Sequence, residues 1–251
     1  MVTKIKRSTF MKTALQAYKG LIEEIYSDTE KMRYLDLILS LKDQRIQKVR
    51  RSYYSYYRLT RPWGEKRPKK AVHFLEGTVW EITRKGKRAI VILKKGKVPE
   101  PAFQVVRLDD EAEILAGYLP KKPISVGYRW NLPPDAVKKL LGDDWKKGTK
   151  STVTCVFLKK AFFKGFRVAK IGITQKVKGN HNFGMNAKMN LKGYYYYSLE
   201  YGFPIYFTLK GKMTLDVTQV APRGQKASFH GEGPIEITIE KEYRPPENEE
   251  D

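Results

Sequence analysis

The sequence is poor in the residues that most catalytic and metal sites require. It has one cysteine, Cys155, and three histidines, His73, His181 and His230. A single thiol excludes an intramolecular disulfide framework and any cysteine-rich metal centre. The histidines are scattered, with no HxH or HExxH spacing to bring several ligands together, so no metal is expected. GxSxG, a P-loop and a strand-linked GxGxxG are all missing, and no cofactor is expected. Cys155 alternates with Val153 and Phe157 in a strand-like run, which reads as a small buried hydrophobe; no neighbouring base marks it as a nucleophile. The acidic clusters Asp109-Asp110-Glu111 and Asp143-Asp144 fall at the ends of helical segments, where capping and dipole roles account for them. Carboxylate pairs for glycoside cleavage are defined by their spacing in the fold, so the sequence leaves them open. No catalytic residue is assigned, and a binding protein is favoured over an enzyme.

Long apolar runs are absent too. Nothing approaches the ~18 residues of a membrane-spanning helix. Residues 1–10 carry Lys4, Lys6 and Arg7 with no apolar stretch behind them, so no signal peptide is visible. The expected location is periplasmic or secreted if an export signal has been removed, and cytoplasmic otherwise.

Negative charge is scarce. Lys and Arg number 49 against 27 Asp and Glu, a formal net charge of +22. Acids gather in the tail (Glu240, Glu242, Glu247, Glu249, Glu250 and Asp251), so the preceding body is more basic still. Such a field favours polyanions: nucleic acid, anionic lipid or an acidic envelope polymer.

What the chain has in abundance is alternation. In residues 205–218, Ile205, Phe207, Leu209, Gly211, Met213, Leu215 and Val217 alternate with Tyr206, Thr208, Lys210, Lys212, Thr214, Asp216 and Thr218. Period 2 over that length predicts an unusually long strand with one buried face. Ala187, Met189, Leu191, Gly193, Tyr195, Tyr197 and Leu199 repeat the pattern upstream, and Phe229, Ile235, Ile237 and Ile239 downstream. Gly202-Phe203-Pro204 and Pro222-Arg223-Gly224 supply turn chemistry between these runs, which predicts an antiparallel meander. A turn about Arg223 places Lys210 opposite Glu236. Lys188 and Lys192 share the face of Lys210 and Lys212, together with Tyr194, Tyr196 and Tyr206.

Nearer the start, residues 8–26 are ambiguous: Phe10, Leu15, Tyr18, Leu21, Ile22 and Ile25 suit a loose helical stripe that Gly20 weakens, and Ser27-Asp28-Thr29-Glu30 resembles a capping box. Leu35, Leu37, Leu39 and Leu41 alternate with Asp36, Ile38 and Ser40, which predicts a strand. Lys42-Asp43-Gln44 turns into a second strand over 45–59, and residues 61–70, cationic and punctuated by Pro and Gly, read as an exposed loop. Strands are expected over 74–84 and 88–94 as a hairpin, then over 151–158 and 166–177. Short helices are expected from Asp109 to Tyr118 and from Pro133 to Leu141.

Leu119-Pro120-Lys121-Lys122-Pro123-Ile124-Ser125-Val126-Gly127-Tyr128-Arg129-Trp130 resembles the LPxKPVxVGDxW segment of a group of uncharacterised exported bacterial β-rich proteins. Residues 199–204, continuing to Leu209-Lys210-Gly211, are similar to their C-terminal hairpin. Tyr128 stands where that group has an acid. The resemblance implies a β-rich fold and an envelope location and carries no activity; Gly127 and Trp130 read as a turn and a buried ring.

The expected fold is mainly β: one large curved antiparallel sheet, a half-barrel or roll, with a few short helices. A single domain is expected over 1–240, with a possible subdivision near 119–150 and a disordered acidic tail at 241–251. The expected function is a non-catalytic envelope-type binding protein that contacts a polyanion or an anionic surface. The alternatives are a nucleic-acid-binding protein and a carrier of a lipid or other apolar ligand. Candidate binding residues form two sets. The first combines tyrosines with cations, as single-strand nucleic-acid platforms do: Arg50, Arg51, Tyr54, Tyr56 and Arg58, continuing into Lys66, Arg67, Lys69 and Lys70. Regular alternation there sends Tyr53 and Tyr57 to one face and Tyr54 and Tyr56 to the other. The second set is Lys188, Lys192, Tyr194, Tyr196, Lys210 and Lys212.

Overall fold

The computed structural model describes residues 1–17, 20–42, 45–62, 64–86, 88–100, 103, 106–141, 145, 148–180, 186–220 and 226–242. The strands are β1 (Val2–Ala17), β2 (Gly20–Lys42), β3 (Arg45–Arg61), β4 (Lys69–Val72), β5 (Val79–Lys85), β6 (Arg88–Lys95), β7 (Arg129–Asn131), β8 (Lys150–Phe163), β9 (Phe166–Asn180), β10 (Asn186–Ser198), β11 (Pro204–Val220) and β12 (Lys226–Glu242). Two short helices, α1 (Glu111–Ala116) and α2 (Pro134–Leu141), lie between β6 and β8 in sequence. All strands join one antiparallel sheet in the order β6-β5-β3-β2-β1-β12-β11-β10-β9-β8-β7, with β4 beside β3. The sheet is not closed into a barrel. Two meanders make it up, one from each end of the chain, and they are zipped together where β1 pairs with β12, Ile5 facing Ile239.

The alternation of β11 sorts its side chains as expected except at Thr208, which is buried on the outer face. Ile205, Phe207, Leu209, Met213 and Leu215 are buried on the inner face, joined there by Leu191 and Tyr195 of β10 and Ile239 of β12. β10 and β11 approach closely at their glycines. A Cβ at Gly193 would sit 1.8 Å from the Thr208 carbonyl oxygen, and one at Gly211 1.9 Å from that of Asn190. Strand glycines that admit another backbone in this way are sites of tight bending.

The inner face is covered by the segment carrying the helices. α1 buries only Ala112 and Leu115, too little apolar surface to hold it by hydrophobic burial alone. Charges fix it instead. Asp110 caps the helix by accepting from the Glu113 N–H, and its carboxylate meets Lys241 of β12 at 2.9 Å. Lys241 also reaches Glu113 at 2.6 Å. Glu111 takes a forked pair of hydrogen bonds from Arg7 of β1, and Asp109 meets Arg84 of β5 at 2.5 Å. Arg51 is buried against Asp36 at 2.6 Å and 2.7 Å, donates to the carbonyls of Arg107 and Leu108, and lies 3.9 Å from the Tyr34 ring centroid. Burial opposes the ionised form of Asp110, but Lys241 holds its carboxyl below the ordinary range. Burial, reinforced by Asp110, leaves Glu113 raised.

These contacts also show the curvature. Arg84 on β5 and Tyr195 on β10 both touch the start of α1, the latter through its hydroxyl to the Ala112 carbonyl at 3.2 Å. Six inter-strand spacings separate β5 from β10, about 29 Å if the sheet were flat. No arginine and tyrosine span that distance around one helical turn, so the sheet curls about α1.

Several local expectations change. The region 8–30 is strand, not a helix start, and Asp28 and Glu30 pair with Arg58 and Arg7 across strands. In β2 it is Tyr34 and Asp36 that face inward, leaving Leu37 and Leu41 53% and 60% exposed. The loop after β3 is shorter than residues 61–70, because Arg61 ends β3 and Lys69 begins β4. Residues 74–78 precede β5 rather than belonging to it. β12 runs on through Glu242, so Lys241 is a buried strand residue and not part of a tail. The turn at Arg223, the Asp143-Asp144 pair and His181 lie outside the described residues.

Leu209→Ala or Leu215→Ala is expected to cost about 2–5 kcal/mol in chemical denaturation, and Thr208→Ala, whose hydroxyl has only a 3.5 Å contact with Thr238, about 1 kcal/mol or less. Equal losses at the two positions contradict a one-sided β11. Arg51→Met is expected to destabilise by about 3–5 kcal/mol, with the Asp36→Leu/Arg51→Met double variant closer to wild type than either single one. Additive single losses contradict that coupling. The Asp110 shift has a definite sign. A carboxylate held below its unfolded value stabilises the fold above that value, and the contribution is lost as pH falls through the native one. An acid-unfolding curve should therefore move to higher pH in Lys241→Met.

Candidate binding face

The outer face carries the cations that the inner face does not use. Its residues follow from the strand registers. Lys150 of β8 lies opposite Lys178 of β9, and Lys178 opposite Lys188 of β10. Three lysines thus stand in register on three adjacent strands, all exposed. Two residues along, Lys176 of β9 faces Asn190, which faces Lys212 of β11. Beyond that, Lys192 faces Lys210 directly. Among the described residues Lys150, Lys176, Lys178, Lys188 and Lys192 make no ion pair. Neighbouring strands place such side chains close together, and like charges in directly opposed positions are destabilising.

The meander relieves this on one side only. Lys210 reaches Glu236 of β12 at 2.8 Å, the pairing expected from counting through the turn, and Lys212 reaches Glu232 at 2.6 Å. The hydrogen bond and attraction of Glu236 raise the Lys210 pKa, and Lys210 in turn lowers that of Glu236. Beyond the acids of β12, where Glu240 lies opposite Lys4, cations resume on the same face with Lys4 and Lys6 of β1 and Lys31 and Arg33 of β2. They end at Tyr57 of β3, whose ring lies between Lys31 at 5.9 Å and Lys70 of β4 at 4.5 Å. Alternation in the sequence places Lys4, Lys6, Lys31, Lys150, Lys176 and Lys178 on one side of their strands. It does not say that those strands present the same face, so these residues escaped the sequence reading.

The first candidate set divides. A bulge between Arg33 and Tyr34 resets the alternation of β3, so Tyr53 and Tyr56 share the inner face, their rings 6.3 Å apart, while Tyr54 and Tyr57 go outward. Tyr56 donates to Glu30 and stacks on His73 at 3.8 Å. Arg51 is buried and committed to Asp36, so it cannot bind anything outside. Arg58 pairs with Asp28 at 2.6 Å. Arg50, Tyr54, Lys66, Arg67, Lys69 and Lys70 are exposed, and Lys69 pairs with Glu65.

In the second set, Tyr194 and Tyr196 do lie outward, but their rings are engaged. Lys170 sits 4.1 Å from the Tyr194 centroid, and Phe163 stacks on Tyr196 at 4.5 Å with Tyr206 edge-on. A base-stacking platform needs a free ring face; Tyr194, 44% exposed, keeps more of its ring open than Tyr196. Cys155 is buried, which pushes its thiol up to about 12. His230 contacts Asp216 at 2.6 Å. Among the described residues no three His, Cys, Asp or Glu side chains group as a metal site would need, and no helix is long and apolar enough to cross a membrane.

No protein-family model matches the chain, and no curated protein matches it significantly. A solved structure described as "Lipid-protein interactions in lipovitellin" is similar over 98% of this chain, at 8% identity and a TM-score of 0.43. The chain spans 26% of the length of that structure. A likeness of this degree carries no argument about function.

Proposed function

We propose that this chain is a non-catalytic binding protein whose outer sheet face holds an anionic polymer or surface. The observation that supports this most directly is the row Lys150–Lys178–Lys188, with Lys192 opposite Lys210 four residues further along β10. Acids pair with Lys210 and Lys212, and among the described residues none pairs with the row, which leaves its positive charge open to an external partner. The envelope setting implied by the sequence resemblance is rich in such partners, and a periplasmic or secreted location fits the reading. Nucleic acid is the second polyanion class, and the packing of Tyr196 against Phe163 and Tyr206 leaves one outer tyrosine fewer for base stacking. The apolar-carrier alternative would use the inner face, where Ala112, Leu115, Ala136 and Val137 already pack in the core.

Replacing Lys176, Lys178, Lys188 and Lys192 together with Gln is expected to lower the salt concentration for elution from heparin substantially, since each lost contact reduces the counterions released. Thermal stability should be unchanged or slightly raised, because like-charge neighbours are removed. Unchanged elution reduces the row to a solvated face and removes the support for this reading.

A further inference from the structure

Two hairpin tips lie side by side at one end of the sheet. The β8–β9 tip runs Phe162-Phe163-Lys164-Gly165-Phe166-Arg167, with Phe163 facing Phe166 and Phe162 facing Arg167. The β10–β11 tip runs Leu199-Glu200-Tyr201-Gly202-Phe203, and it is tied to the first by the Leu199 N–H donating to the Arg167 carbonyl at 2.9 Å. A two-residue turn with both φ angles positive suits Asn-Gly. Here Gly165 has φ +83° and Lys164 φ +51°, the one non-glycine with positive φ among the described residues. The chain thus accepts a disfavoured backbone to keep a lysine at the apex.

The side chains around that apex are of two kinds. Phe166 packs edge-on against Tyr201 and Phe203, at 5.8 Å and 6.1 Å, which makes the two tips one aromatic block. Tyr201 protrudes from this block 57% exposed, and Phe162, on the other side of its strand from Phe163, is 79% exposed with Leu199 nearby. Lys159, Lys160, Lys164 and Arg167 surround them, all exposed, and Glu200 is the acid nearest in sequence; Lys164 also pairs with Glu240 of β12. Lys160, Ala161, Phe162, Arg167 and Leu199 line an open groove of about 130 Å³.

We propose that the paired tips anchor the protein in the interfacial layer of an anionic phospholipid bilayer. Phe, Tyr and Leu on a rigid turn can enter the headgroup–acyl boundary, where aromatic rings with one wet edge are favoured. Long cationic stems can lie along that layer and keep their charges at phosphate depth, and attraction to anionic lipid adds to the burial of apolar surface. The groove brings two cations and three apolar side chains together, the chemistry of a lipid phosphate with the start of its acyl chains. The anchor lies at the other end of β9 from the outer lysine row, Lys178 being twelve residues beyond Phe166. It rests on the polyanion reading for the partner's charge, but it uses different residues.

The test uses full-length protein with Phe162→Cys labelled by an environment-sensitive fluorophore; native Cys155 is buried and stays unmodified. With vesicles of phosphatidylglycerol and phosphatidylcholine, the label should brighten, shift to the blue and be quenched by a lipid carrying a shallow nitroxide. Phosphatidylcholine alone should give little response. Phe162→Ser/Tyr201→Ser should weaken sedimentation with the anionic vesicles about tenfold or more, from the apolar burial lost, and leave heparin elution unchanged. Vesicle binding with a silent label, or binding unaffected by the double variant, overturns the anchor while leaving the polyanion reading intact. Loss of heparin retention in the lysine variant, with the label still responding, leaves the anchor intact. If the protein binds neither heparin nor vesicles, both readings fall.

Discussion

The structure depends on how four acids at α1 are neutralised. A large open sheet must cover its apolar face, and the helix available for its centre has six residues and two buried side chains. Arg84, Arg7 and Lys241 reach Asp109, Glu111 and the Asp110/Glu113 pair from three different strands. Arg51 holds the preceding carbonyls in place. Such pairs add little net stability over apolar contacts, but losing one partner strands a buried charge, so they specify position strongly. They fix the curl of the sheet because cations from strands far apart converge on one turn of helix.

The same arrangement sorts charge between the two faces. Arg7, Arg51, Arg58, Arg84 and Lys241 are all paired with acids on the inner side. The outer side receives much of the surplus: among the described residues Lys150, Lys176, Lys178, Lys188 and Lys192 have no acid partner, and the edge of the row near β12 is relieved by Glu232 and Glu236. The outer row thus carries one concentrated part of the net charge of +22. Lysines also keep exposed strands soluble and deter edge association. Solubility alone calls for dispersed charge, however, and does not account for lysines stacked in register.

Much of this architecture was legible in the sequence. Period-2 alternation marked β8 to β12, Asp110 and Pro134 marked the helix starts, and counting from β11 into β12 paired Lys210 with Glu236. The rest depends on partners distant in the chain. Nothing local in Tyr53-Tyr54-Ser55-Tyr56-Tyr57 announces the extra residue opposite Arg33 and Tyr34 that turns Tyr56 inward and Tyr57 outward. The leucines of β2 look like a core stripe until Arg51 claims Asp36 for the inner face. Lys241 reads as tail because its two carboxylates lie more than a hundred residues upstream. The outer lysine row is invisible until the registers of β8, β9 and β10 are known.

The central claim is that this ordered row of uncompensated lysines binds an external polyanion. The most direct measurement is the affinity of the intact protein for a linear polyanion of defined length across a range of salt concentrations. Engagement of Lys150, Lys176, Lys178, Lys188 and Lys192 predicts a log–log slope steeper than about −3. A slope near zero, or no binding at low salt, would contradict the account.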